Sequence, residues 1–129
     1  MLAIDTNLLI RYLTGDDPGQ SAKARRLIDT NDIFVCVTVL LEAEWVLRSV
    51  YGFNAADIVK SLRAFAGLAR VTLEDSGLVA KALDWTMHGM DFADALHLAK
   101  AGGCEAFVSF DRRIAELANS IGDVKVRVL

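Results

Sequence analysis

With 129 residues, 53% of them hydrophobic and 24% charged, the chain has enough apolar material for one compact domain with a real core, so a single domain over 1–129 is expected. Apolar runs such as 33–37 are short and bounded by charge, far from the roughly 20 residues that span a bilayer, which excludes a membrane-spanning helix. The net charge of -3 argues against a simple basic nucleic-acid binder, but with Asp5, Glu42, Asp91, Asp94 and Asp111 gathered in one metal-compensated pocket the remainder would be net positive.

In chain order, residues 2–4 read as an apolar strand ending at Asp5, followed by a helical stretch over 8–13. Asp17 precedes Pro18, a capping acid before a proline at the first helical position, which predicts a helix through 22–28. Residues 33–37 form the second strand. Thr38 is the expected cap of the next helix, which carries Leu41, Trp45 and Val46 on its core side until Gly52 stops it. Asn54 and Asp57 have capping-box spacing for a helix bearing Ile58, Leu62, Phe65 and Ala66. The third strand is 71–73, and Asp75-Ser76 opens a helix with Val79, Leu83 and Thr86 on one face. A further helix from about 91 to 101 ends at Gly102-Gly103. The fourth strand is 106–110, a short helix follows Asp111, and 124–129 is a weaker fifth strand.

These strands are apolar without alternation, as expected where a parallel sheet is covered on both faces. Their alternation with helices predicts an α/β fold of three layers, a mostly parallel central sheet of about five strands with helices on both faces. Cys36 and Cys104 have no CxxC or Cys/His spacing around them, so neither a zinc site nor a disulfide is expected and both are read as buried thiols. The opening residues lack the basic, apolar and cleavage segments of a leader, and a cytoplasmic location is expected.

In such sheets ligands bind beyond the carboxyl ends of the strands. Asp5 and Asp111 stand there, and each is equally well suited to capping the helix that follows. Glu42 lies about one turn into a helix, while Glu44 is some 200° around from it, so the two cannot face one site; Glu44 is read as solvated surface. Asp91 and Asp94 are three apart and share a helix face, where like charges cost a few tenths of a kcal/mol unless a cation lies between them. Converging carboxylates suit Mg²⁺ or Mn²⁺, and such a cation suits phosphodiester chemistry.

Four ordered stretches carry a family resemblance: Ala3-Ile4-Asp5-Thr6-Asn7, Val37-Thr38-Val39-Leu40-Leu41-Glu42-Ala43-Glu44-Trp45-Val46-Leu47, Asp91-Phe92-Ala93-Asp94-Ala95-Leu96-His97-Leu98-Ala99 and Phe107-Val108-Ser109-Phe110-Asp111-Arg112. Together they resemble the PIN-domain family, and within it the VapC-like toxins of bacterial toxin-antitoxin pairs. The resemblance implies an acidic quartet of Asp5, Glu42, Asp94 and Asp111, with Asp91 as a further metal ligand and Asn7 and Ser109 as polar helpers. It also implies an endoribonuclease using Mg²⁺ or Mn²⁺, in which a metal-activated water attacks the phosphodiester of an RNA such as tRNA or rRNA. Homodimerisation and inhibition by a cognate antitoxin protein are further implications.

His97, on an apolar helix, reads as packed or half-exposed rather than as a ligand. Arg11, Arg48, Arg112 and Arg113 are equally suited to RNA phosphates and to plain surface. Trp45 and Tyr51 have rings that could stack on bases, but Trp45 is read as core or dimer interface. Rival readings are a phospho-acceptor receiver domain, which would want a Lys after a late strand, and a haloacid-dehalogenase-like phosphatase, which would want an Asp where Asn7 stands. A PIN nuclease of RNA processing with no toxin role, and a non-catalytic acidic binding module, complete the alternatives.

Overall fold

The computed structural model describes residues 1–121 and 124–129. Its elements run β1 (Leu2–Ala3), α1 (Thr6–Thr14), α2 (Pro18–Thr30), β2 (Ile33–Val35), α3 (Val37–Ser49), α4 (Ala55–Ala66), β3 (Val71–Leu73), α5 (Ser76–Met87), α6 (Phe92–Lys100), β4 (Phe107–Ser109), α7 (Arg112–Ile121) and β5 (Val126–Val128). The α/β alternation and all five strands are as expected, and every strand pair is parallel. The strands form two ladders, however, β1-β2-β3 and β4-β5, where a single sheet of about five strands was expected. The strands are two or three residues long, so each pairing rests on few hydrogen bonds, and apolar patterning carries no information on which edges meet.

By contacts the chain falls into two compact units, Met1–Ser76 and Gly77–Leu129. In the first, Leu9, Ile33, Val35, Leu40, Leu47, Ile58 and Phe65 are fully buried, and Tyr12 meets Phe65 edge-on at 5.5 Å between ring centroids. In the second, Val79, Ala82, Leu83 and Trp85 of α5 are buried, as are Phe92, Ala95, Leu96 and Leu98 of α6 and Ile114 and Ala118 of α7.

Several helix starts follow the sequence signals. The Asp17 carboxylate accepts from Gln20 N at 3.1 Å with Pro18 opening α2, and Asn54 Oδ1 accepts from Asp57 N at 2.8 Å to start α4. The turn after α3 runs through Gly52 at φ +71°, a left-handed conformation that suits a residue without Cβ.

Helix α3 departs most from expectation. Its N-cap is Cys36, not Thr38, and Cys36 makes no side-chain cap bond. Its buried stripe is Val37, Leu40, Ala43, Glu44 and Leu47, so Glu44 faces inward while Trp45 is 54% exposed. The helix is apolar nearly all round, so periodicity marked no unique face. Glu44, 5% exposed, meets Arg48 one turn on, with Nε to Oε2 at 2.9 Å and Nη2 to Oε1 at 3.3 Å. The surface reading of Glu44 and the core reading of Trp45 are thus both corrected. The cysteines are corrected too: Cys36 is half-buried and Cys104 exposed.

Candidate functional site

At the first unit's sheet, Ile4 N donates to Phe34 O and Glu74 N to Val35 O, which extends the ladder one step past the strands. Asp5, Cys36 and Glu74 therefore follow the carboxyl ends of β1, β2 and β3. Asp5 is the N-cap of α1, accepting from Leu8 N at 2.9 Å through Oδ1. Capping occupies one oxygen and leaves Oδ2 for other work, so the two sequence readings of Asp5 are compatible. Glu42 is exposed on α3 and carries no bond among the described residues. Asn7 is exposed in the first turn of α1 and lines a groove of about 350 Å³ with Leu8, Arg11, Gln20, Lys23, Ala24 and Leu27.

In the second unit Asp94 feels the charges of two further acids, Asp91 and Asp111. Asp91 caps α6, its Oδ2 3.4 Å from Asp94 N. Asp94 is half-buried one turn further on. Burial, then the charges of Asp91 and Asp111, push the Asp94 carboxyl above its ordinary value, and His97 opposes this. Asp111 follows β4, where its backbone N–H donates to Ser109 Oγ at 2.9 Å and its Oδ1 accepts from Arg113 N at 2.8 Å. Ser109 thus shapes the turn that carries Asp111. His97 is exposed, not packed.

Among the described residues, no three His, Cys, Asp or Glu side chains are grouped closely enough to hold a metal ion by themselves. In chemistry the donors still fit a hard divalent cation, because each is a carboxylate and the charged form of Asp94 is disfavoured by burial and then by its acidic neighbours, which positive charge would relieve. Of the arginines, Arg11 gives Nε to Gln20 and Nη1 to Asp16 and Tyr51, Arg48 holds Glu44, and Arg113 reaches Gly89 O. Arg112 is exposed and has no such bond among the described residues.

Tyr51 is also committed. Its hydroxyl lies 2.5 Å from Asp16 Oδ2, and hydrogen bonds from Tyr51 and Thr14, ahead of the Arg11 charge, hold the Asp16 carboxyl below its usual range. Sequence reasoning passed over Glu74, whose Oε1 accepts from Val37 N at 2.8 Å. The signal was available, since Glu74 follows a predicted strand just as Asp5 and Asp111 do.

An α/β chain whose acids follow parallel strands and open helices belongs among folds that do their chemistry at strand ends. The chain is a member of the PIN domain family, whose sequence model matches residues 2–120. PIN domains are generally nucleases and typically use divalent metals, which supports a hydrolase acting on nucleic acid. A search of curated proteins returned no match. No helix among the described residues is long and apolar enough to cross a membrane.

Proposed function

We propose that the chain is a Mg²⁺- or Mn²⁺-dependent endoribonuclease, the VapC-like toxin of a toxin-antitoxin pair. The observation that carries this reading is the match of residues 2–120 to the PIN domain family, and Asp94, a half-buried carboxyl raised by its own burial and by Asp91 and Asp111, accords with it. Such a group disfavours its own charge until a cation offsets it. Asp5, Glu42, Asp94 and Asp111 are the residues that would hold the ion, with Asp91 as a further ligand. When bound, such an ion supplies positive charge for a phosphate and acidifies water.

The chain's own residues do the remaining work. Ser109 holds the turn that presents Asp111. Capping fixes the Asp5 carboxylate at the start of α1. Asn7 offers an amide beside it, and Arg112 offers a planar guanidinium suited to a backbone phosphate. Partners under this reading are an RNA substrate, a cognate antitoxin and a second copy of the chain, in the cytoplasm. A PIN nuclease of RNA processing would share the same acids and differ in lacking an antitoxin.

The test is cleavage of total RNA by purified protein with Mg²⁺ or Mn²⁺, with Asp5→Asn and Asp94→Asn alongside. Cleavage by the wild type that both variants lose while keeping their helical circular dichroism is the expected result. Equal cleavage in EDTA would sink the metal requirement. Induced expression with and without the neighbouring gene tests the toxin role, and growth arrest that the neighbour fails to relieve counts against it.

A further inference from the structure

Helix α3 carries Glu42 yet begins without a cap of its own. The first N–H groups of a helix have no partner within it, and a Ser, Thr, Asp or Asn at the N-cap ordinarily supplies one. Here that position is Cys36, in the extended conformation of a cap residue but with no side-chain bond to the helix. The acceptor arrives from 37 residues away: Glu74 Oε1 lies 2.8 Å from Val37 N. Glu74 is itself held, since its backbone N–H donates to Val35 O at 2.9 Å and so ties the end of β3 to the end of β2. The next residue, Asp75, has φ +53°, a left-handed conformation that Asp tolerates better than most side-chain-bearing residues, and it makes the turn after β3. One residue thus closes β2, β3 and the start of α3 on one another, its backbone N–H joining the strands and its carboxylate taking the helix amide, where the helix dipole favours negative charge.

We infer that Glu74 is a positioning residue for the reaction: by capping α3 from the neighbouring strand it fixes the start of that helix, and through it the place of Glu42 at the carboxyl edge of the sheet. This rests on the nuclease reading, in which Glu42 is a ligand. Glu74 acts through the Val37 amide and touches neither substrate nor ion.

The test uses the whole chain, with Mn²⁺ affinity by calorimetry and amide exchange in the first turn of α3 as readouts beside RNA cleavage. Glu74→Ala is expected to weaken Mn²⁺ binding by about tenfold, the scale for residues that orient ligands from behind, and to speed exchange in that turn. Glu74→Gln keeps an acceptor oxygen and is expected to recover most of the affinity. Cys36→Ser in the Glu74→Ala background supplies a local cap and is expected to restore both affinity and protection. Glu74→Ala that binds Mn²⁺ as tightly as the wild type, or that leaves first-turn exchange unchanged, overturns the assignment. So does a Cys36→Ser rescue of exchange without affinity. A wild-type chain that binds no Mn²⁺ is a different failure: it removes the nuclease reading, and the role toward Glu42 with it.

Discussion

Asp94 carries its charge at a disadvantage, half-buried and within reach of Asp91 and Asp111. Because its pKa is raised on folding, the folded chain holds a proton there more readily than the unfolded one. The resulting stabilisation is fully present below the ordinary value of 3.8 and is lost as pH rises through the higher folded value. Asp94→Asn removes the penalty of the charged form. At pH 7 without metal the variant is expected to be more stable than the wild type by a few tenths of a kcal/mol, after allowance for solvent screening. That advantage should fade in acid, and urea denaturation at the two pH values checks it. Asp5 separates capping from metal binding in another way. Asn caps a helix as well as Asp does, so Asp5→Asn should hold stability to within about 0.5 kcal/mol, whereas Asp5→Ala should cost about 1 kcal/mol. Mn²⁺ binding should be lost in both, and equal Mn²⁺ affinity in Asp5→Asn would remove Asp5 from the ligand set.

At the scale of elements, α3 shows how a helix face is chosen. Residues 37, 40, 44 and 47 have the spacing of one buried stripe, and Glu44 lies on it because neighbouring apolar positions, not its own character, set the face. Arg48 compensates the carboxylate from one turn away while its own side chain stays half in water. Arg48→Ala leaves the Glu44 carboxylate buried with its nearest cation gone, and should cost about 1–3 kcal/mol in chemical denaturation. Glu44→Leu, which suits the stripe, should be near neutral or stabilising, because a buried ion pair seldom beats an apolar side chain of similar size. A large loss in Glu44→Leu would mean that the carboxylate does something the Arg48 contact does not explain. Helices α2 and α4 were legible from Asp17-Pro18 and Asn54 because a cap lies next to the turn it serves. The cap of α3 was not legible, since Cys36 gives no signal and Glu74 is far away in sequence.

For the molecule as a whole, a bound ion should appear as stability. If Mn²⁺ binds only the folded chain, a concentration one hundred times its Kd should add about 2.7 kcal/mol, read as a rise in Tm. The rise should vanish in Asp94→Asn, and an equal rise in that variant would place the ion elsewhere. The order of strands and helices, the parallel strands, most helix starts and the location of Asp5, Asp91, Asp94 and Asp111 beside strand ends or helix starts were all determined by the sequence. Each depends on residues a few positions apart, where period, caps and glycine act directly. Only the tertiary structure decided which face of α3 is buried, and Glu44 with it, that Glu74 caps α3, and that the short strands pair as two ladders. It also half-buried Asp94, with Asp91 and then Asp111 adding their charges, and so raised its carboxyl above the ordinary value. These depend on groups far apart in sequence, whose meeting is set by packing and charge in three dimensions and leaves no local pattern to read.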